Sequence, residues 1–456
     1  MKINENIFRP YDIRGKVPSE IDETVAYLIG RSYGSYVVTK LGFSDCLVGY
    51  DNRVSSIPFR DAMVKGIRES GCDVIDLGLI TTPVLYLARY NLKKVGIMIT
   101  ASHNPGDENG FKFSFDFECN ARGEMIEDFK NYTLACKFNE GEGSYSTLDY
   151  KQEYFDYLLN NVSFGDRKLK VVIDCGNGTA SIYAKELHDK LPFDFEYIFC
   201  NSDPTFPNHH PDPSVVENLI KLGEKVLEVG ADLGISYDGD EDRVGIVAET
   251  GEMVPMDSLM VVFVRDMINS VSNKTFLYDI KCSKALDDEI VKLGGTPYCY
   301  RSGASYTQAE VLAKGVPFGA EYSGHLYFAD RSYPATSGIY SGLRLLEILS
   351  KCDLKMSELL EGINKYYSYP EEKIPTDDDI KDGIVEKIIE YGKAKNYKLN
   401  DIDGARFTFD DGWALIRVSN TGPNITTRFE ATTKERLEII RNEFRDEIQN
   451  ALDKIK

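Results

Sequence analysis

Along this chain, short runs of β-branched and aromatic residues alternate with stretches whose apolar positions recur at helical spacing, a pattern that predicts an α/β protein. One such stretch, Asp22 to Tyr36, sets Val25, Leu28, Ile29, Tyr33 and Tyr36 on one face behind a leading aspartate and predicts a helix. Three apolar runs end in an aspartate: Leu47 to Asp51, Val171 to Asp174 and Phe276 to Asp279. After a helical stretch, each is followed by a second apolar strand that runs into an unusual loop. Ile97–Ile99 leads into Thr100–Pro105, Leu233–Ile235 into Asp238–Arg243, and Val316–Phe318 into Glu321–His325. Three α/β modules, each presenting one loop after a strand, are the economical reading. Ligands in open α/β sheets sit outside such strand ends. The polar stretch Ser368 to Lys373 predicts a linker. Beyond it, roughly 85 residues are enough for a small α+β domain. The expected segments are 1–150, 151–255, 256–368 and 369–456.

Length supports several domains, since 456 residues exceed what one core holds. No apolar run approaches the ~20 residues that cross a bilayer. The longest, Leu259 to Val264, is strand-sized, and Met1 to Asn6 is polar, without the apolar stretch of a signal peptide. A cytoplasmic protein with no membrane partner is expected. Nine cysteines, an odd number with no Cys-x-x-Cys pair, predict buried reduced thiols and neither a disulfide framework nor a zinc site. A formal charge of −20 argues against nucleic acid or an anionic membrane as a partner. If such a chain binds a phosphorylated ligand, its cationic residues must stand inside motifs.

The three loops and one C-terminal string meet that requirement. Thr100-Ala101-Ser102-His103-Asn104-Pro105 ends a fully apolar strand, and its Asn-Pro turn projects the Ser102 hydroxyl, with His103 beside it as a hydrogen-bond donor. Asn109-Gly110-Phe111-Lys112 follows, and its turn can return Lys112 to the same place. Asp238, Asp240 and Asp242 alternate after another apolar strand, three hard oxygen ligands able to converge on a divalent cation. An EF-hand is excluded: its sixth position would be Arg243 instead of glycine, and Val244 to Val247 continues as a strand. Three carboxylates with an open position suit Mg2+ and a phosphoryl oxygen. Glu321 and Ser323, closed by His325, offer a carboxylate and a hydroxyl to sugar hydroxyls. Arg417-Val418-Ser419-Asn420-Thr421, with Arg428 beyond, gathers guanidiniums, hydroxyls and turn amides into a phosphate nest.

Together these residues resemble the α-D-phosphohexomutase superfamily, and within it the phosphomannomutase/phosphoglucomutase branch, from Phe8 to Glu430. The resemblance implies that Ser102 is the phosphorylated residue and that Asp238, Asp240 and Asp242 hold Mg2+ alongside it. It also implies that Glu321 and Ser323 contact sugar hydroxyls and that Arg417, Ser419, Asn420 and Thr421 bind phosphate. Tyr11-Asp12-Ile13-Arg14-Gly15 is similar to the family's opening motif, whose arginine reaches the active site. Phe206 to Pro213 matches a stretch of the mannose/glucose branch, and Asp279-Ile280-Lys281-Cys282-Ser283 implies Lys281 as a phosphate or sugar contact. The implied architecture is three similar mixed-sheet α/β domains and a smaller C-terminal α+β domain around a central cleft. Two positions depart from the pattern. Ala304 stands where relatives often carry a histidine and cannot titrate, and Ser337 stands where an acidic residue is expected before Gly-Ile.

The implied reaction moves a phosphoryl group between C1 and C6 of a hexose through phospho-Ser102 and a hexose 1,6-bisphosphate. Arg243 offsets developing charge, and Lys112, in preference to Arg14, assists the proton. Mannose and glucose phosphates are the expected substrates, for a monomer or a homodimer. The rival within the family is phosphoglucosamine mutase. A metal-dependent sugar phosphatase would gain nothing from a distant phosphate nest, and a non-catalytic sugar-phosphate sensor has no use for Ser102 and the aspartates.

Overall fold

The computed structural model describes residues 3–419 and 423–455, and the chain divides into two compact units. The first comprises Met1–Met256, Gln308–Gly315 and Ser323–Leu359; the second comprises Asp257–Thr307, Val316–Tyr322 and Leu360–Lys456.

Two sheets build the first unit. In the larger, the strands run in the order Ile13–Lys16, Glu108–Ser114, Val95–Ile99, Asp45–Tyr50, Asp73–Leu79, Tyr145–Thr147. The last four are mutually parallel, while Glu108–Ser114 runs antiparallel to Val95–Ile99 with Ile99 opposite Phe111. Val95–Ile99 is buried along its whole length, as a continuous apolar run in a covered parallel sheet must be. The predicted helix forms as Glu23–Tyr36, and Asp22 caps it by accepting from the Val25 N–H at 2.8 Å. Its apolar face joins Ile29 and Tyr33 to Phe59, Phe111, Phe113 and Phe129 in one core.

The smaller sheet orders Val244–Ala248, Leu233–Tyr237, Lys170–Asp174 and Asp194–Ile198. Leu233–Tyr237 and Val244–Ala248 pair antiparallel with Tyr237 opposite Val244. Residues 238–243 are therefore a hairpin tip between two wholly buried strands. Thr100–Asp107 is likewise the tip between Val95–Ile99 and Glu108–Ser114.

In the second unit, Thr275–Asp279 lies parallel to both Thr296–Tyr300 and Phe318–Ala320. An antiparallel C-terminal sheet follows, ordered Tyr367–Ser368, Asn424–Ala431, Gly412–Val418, Ala405–Phe409, Lys398–Asn400. The helices Lys381–Ala394 and Lys434–Ile455 supply Ile384, Ile388, Ile440 and Phe444 to its core against Phe407 and Phe429. This is the expected α+β domain.

Two local expectations are corrected. The run Leu259 to Val264 lies inside the helix Met256–Met267, because an apolar stretch of that length carries no periodicity to tell a strand from a buried helix. The stretch read as a linker is partly sheet, since Tyr367–Ser368 and Glu372–Pro375 both pair with Asn424–Ala431. Among the described residues, no helix is long and apolar enough to cross a membrane.

Candidate active site

The two hairpin tips of the first unit meet. Ser102 Oγ donates to Asp238 Oδ2 at 2.9 Å across 136 positions of sequence. Ser102 adopts φ 54°, the left-handed region that non-glycine residues seldom occupy and that marks constrained functional turns. Its backbone is held on both sides: its N–H donates to Thr100 Oγ1 at 2.8 Å, and its carbonyl accepts from Arg53 Nη2 at 2.8 Å. Gly239 makes the approach possible, since a Cβ there would stand 2.3 Å from the Ser102 carbonyl oxygen.

Asp238, Asp240 and Asp242 are all buried, and one carboxylate oxygen from each lies within 4.8 Å of the others. Asp238 Oδ1 accepts from the Arg243 N–H at 3.0 Å, tying the start of the tip to its end. Asp240 Oδ2 accepts from Thr82 Oγ1 at 2.5 Å and Lys112 Nζ at 2.7 Å, and Asp242 Oδ2 from Lys112 Nζ at 2.6 Å. The other oxygens of the last two, Asp240 Oδ1 and Asp242 Oδ1, are buried without a hydrogen-bond partner among the described residues. An orphaned buried carboxylate oxygen is costly unless a group other than a protein hydrogen-bond donor satisfies it. Burial, followed by repulsion from Asp242 and Asp240, pushes the Asp238 carboxyl well above its usual range. For Asp242 burial acts the same way, but the cations Lys112 and Arg243 outweigh it and hold the carboxyl below its usual range. A divalent cation fits this donor set, because it would both satisfy the orphaned oxygens and relieve the repulsion.

Lys112 sits on the strand Glu108–Ser114, opposite Met98, and reaches the triad from the neighbouring hairpin. Burial lowers its pKa, yet Asp240 and Asp242 more than compensate and raise it well above the usual lysine value. Lys112 is thus a charge partner of the triad, in contact with two of its carboxylates. Arg14 donates to Asp12 at 2.7 Å, to Asn104 Oδ1 at 2.9 Å and to the Ala101 carbonyl at 3.1 Å, so it lies against the serine loop.

Burial disfavours the charged form of both histidines near the site. His103 Nδ1 lies 3.3 Å from Ser102 Oγ, and burial, then Arg243 and Arg14, press its pKa well below the ordinary value. Arg243 Nε donates to His325 Nε2 at 3.0 Å, which leaves the proton on Nδ1 for the Asp242 carbonyl at 3.2 Å. Burial is the main cause that pulls the His325 pKa down to about 4.

The remaining predicted residues, Ser323 apart, belong to the second unit. Glu321 Oε1 accepts from the Gly303 N–H at 2.5 Å and Thr307 Oγ1 at 3.1 Å. Lys281 Nζ lies 3.6 Å from Glu371 Oε2, and burial is overcome by Glu371 and Asp279 to raise its pKa. Arg417 is aligned by Asp403, with Nε and Nη2 donating to the two carboxylate oxygens at 3.1 and 3.2 Å. Ser419 is buried and its N–H donates to the Asn424 carbonyl at 3.0 Å; Asn420 and Thr421 lie outside the described residues. Arg428 is taken up by protein: it stacks 3.9 Å over Tyr322, faces Asp257 at 3.5 Å and donates to the Lys281 carbonyl. Through these contacts it braces the Lys281 and Tyr322 segments.

Sequence reading missed Arg53. Anchored on Asp51 at 3.2 Å, its guanidinium donates to the carbonyls of Ser102, Asn104, Pro105 and Glu108 and so holds the whole serine loop. The available signal was Asp51-Asn52-Arg53 directly after a repeated strand. Glu241 was missed too. Between two triad members, it accepts from Tyr154 at 2.9 Å, from Ser337 at 2.7 Å and from the Ile339 N–H at 3.0 Å. The departure at Ser337 is explained here, since its hydroxyl also caps the helix Gly338–Ser350 by accepting from the Tyr340 N–H at 2.9 Å.

The chain matches the three alpha/beta/alpha domains of phosphoglucomutase/phosphomannomutase over residues 5–139, 152–251 and 255–366, and the C-terminal domain of the same family over 371–447. It is 38% identical to a phosphomannomutase/phosphoglucomutase of Pseudomonas syringae over 446 residues, covering 98% of this chain and 95% of the relative. A phosphoglucomutase of Neisseria gonorrhoeae is 34% identical, with 98% of each chain covered. Among solved structures, a phosphoglucomutase/phosphomannomutase family protein from Burkholderia thailandensis superposes with a TM-score of 0.91 at 33% identity, covering 98% of both chains.

Proposed function

We propose that this chain, which belongs to the phosphoglucomutase/phosphomannomutase family and is a phosphohexose mutase, carries its phosphoryl group on Ser102 Oγ and acts on both mannose and glucose phosphates. The observation that carries the assignment is the 2.9 Å contact from Ser102 Oγ to Asp238 within the buried aspartate cluster. The substrate hydroxyl, at C1 or C6, attacks phosphorus of phospho-Ser102; the P–Oγ bond breaks, the hydroxyl proton passes to Ser102 Oγ, and a hexose 1,6-bisphosphate forms. In the second half, Ser102 Oγ attacks the other phosphate of that bisphosphate, and the sugar oxygen leaves with the proton.

Asp238, Asp240 and Asp242 would hold Mg2+ together with a phosphate oxygen on Ser102, and the bound ion would neutralise charge on the transferring group. Arg14, Lys112 and Arg243 add fixed positive charge around the same atoms, as phosphoryl transfer demands. His103 Nδ1, neutral and 3.3 Å from Ser102 Oγ, is the proton carrier within reach of that oxygen. Arg53 and the Ser102 backbone contacts keep the nucleophile in place throughout. In the second unit, Arg417, Ser419, Asn420 and Thr421 bind the phosphate that is not transferred. Glu321, Ser323, His325 and Lys281 face the sugar, with Glu321 Oε1 already fixed by Gly303 and Thr307. The expected targets of Glu321 and Ser323, O3 and O4, have the same configuration in mannose and glucose, so neither epimer is strongly rejected. The phosphatase and sensor readings fall with the family membership.

Purified protein should carry substoichiometric phosphate on Ser102, read by intact mass and peptide mapping. Ser102→Ala should fold and lose turnover of mannose 1-phosphate and glucose 1-phosphate. Phosphate on a different residue, or normal turnover in the variant, would overturn the assignment.

A further inference from the structure

Behind the aspartate hairpin, the first unit holds two thiols in contact. Cys175 directly follows the strand Lys170–Asp174, and Cys200 stands two residues past its parallel neighbour Asp194–Ile198. Asp174 pairs with Ile198, so both cysteines follow the same end of adjacent parallel strands. Continued register would set Cys175 beside Phe199, so the two cysteines are one position apart along neighbouring strands. The Sγ atoms are 2.8 Å apart. Two thiolates sharing a tetrahedral zinc at about 2.3 Å would stand roughly 3.7 Å apart. The separation therefore fits a bond between the sulfurs and not a metal between them. Reaching the ~2.05 Å of an S–S bond needs less than about 1 Å of closure. Cys175 is buried and Cys200 partly exposed, which gives a small oxidant access to one partner only.

The intervening loop leads straight to the site. Asn177 N–H donates to the Phe199 carbonyl at 2.8 Å, beside Cys200, and Thr179 N–H donates to the Gly239 carbonyl at 2.8 Å, inside the aspartate tip. At Gly178 a Cβ would lie 2.9 Å from that same Gly239 oxygen, so loop and tip are in close contact.

We propose that Cys175 and Cys200 are a redox pair, oxidised by hydrogen peroxide to an intramolecular disulfide that braces the loop beneath the Asp238–Asp242 tip. The Cys200 thiolate attacks one peroxide oxygen, the O–O bond breaks, and Cys200 becomes a sulfenic acid as water leaves. The Cys175 thiol then attacks the Cys200 sulfur, the S–O bond breaks, and the thiol proton leaves with the hydroxyl as a second water. Two thiols and one peroxide thus give one disulfide and two waters.

The test treats the intact protein with a small excess of hydrogen peroxide, alkylates free thiols and digests without reductant. A peptide joining Cys175 to Cys200, two hydrogens lighter than the pair and cleaved by dithiothreitol, is expected. The thermal midpoint of the oxidised protein should rise by about 5 °C over the reduced form, and Cys200→Ser should show neither change. Conversion of Cys200 to sulfinic acid with Cys175 still alkylated would overturn the pair, as would an equal midpoint shift in Cys200→Ser. Peptide mapping of the unsubstituted protein decides the pairing even where that variant fails to fold.

Discussion

Gly239 lies where the serine tip and the aspartate tip touch, and Gly239→Ala isolates that contact. Its φ is outside the left-handed region, so alanine meets no backbone penalty and the obstacle is steric. The added Cβ would stand 2.3 Å from the Ser102 carbonyl oxygen, 3.2 Å from its carbon and 3.5 Å from Pro211 Cγ. Real Cβ atoms do not approach closer than 3.0 Å, and ordinary contact begins at 3.4 Å, so the tips must separate by 0.7 to 1.1 Å. That carbonyl cannot yield easily, because Arg53 Nη2 holds it at 2.8 Å. The displacement falls on the 2.9 Å contact between Ser102 Oγ and Asp238. A misplacement of about 1 Å at reacting groups costs about 100-fold, or ~2.7 kcal/mol of transition-state stabilisation. Steady-state assays on glucose 1-phosphate with trace bisphosphate should show kcat down about 100-fold and KM within about threefold. Overpacking should also destabilise the fold by about 1–3 kcal/mol. A folded Gly239→Ala protein with kcat within threefold of the parent would refute the view that this spacing sets the chemistry.

Chelation should abolish turnover and Mg2+ restore it, with Asp240→Asn insensitive to added Mg2+; full activity in excess chelator would remove the aspartates from the site. Arg417→Lys keeps the charge but loses the planar fork that Asp403 aligns, so KM should rise about tenfold, ~1.4 kcal/mol, with kcat little changed; an unchanged KM would take Arg417 out of the phosphate grip. His188 stacks on Phe195 at 4.5 Å, and burial lowers its pKa from 6.5 to about 3. The unfolded chain therefore binds a proton that the folded one refuses, so its stabilising contribution is full above pH 6.5 and is lost as pH falls towards about 3. Urea titrations should show His188→Phe flattening the pH dependence by up to ~1.4 kcal/mol per pH unit in that window; parallel curves for the two proteins would contradict it.

The chemistry-bearing loops were legible in the chain because each is a local pattern: a continuous apolar strand followed within a few residues by hard donors. Periodicity likewise gave the helix Glu23–Tyr36 and its aspartate cap. Where an apolar stretch was short and unpatterned, as at Leu259 to Val264, strand and buried helix look alike along the chain, and neighbouring elements decided for helix. Lys112 was found, but its partners were not, since they are carboxylates 128 and 130 positions away.

By itself, the sequence determined which residues could do chemistry, and in what local order: Ser102 on a strand-end turn, three alternating aspartates, an arginine-led polar string. It determined these because strand burial and turn propensity act over a handful of residues. Only the tertiary structure decided who meets whom. Strand order brought Glu108–Ser114 beside Val95–Ile99 and so gave Lys112 to the aspartates. The turn after Asp51 put Arg53 under four carbonyls of the serine loop. Parallel pairing of Lys170–Asp174 with Asp194–Ile198 set Cys175 against Cys200. The lysine and cysteine contacts are fixed by sheet order and register, which follow from how whole buried faces pack together and leave no local trace in the chain.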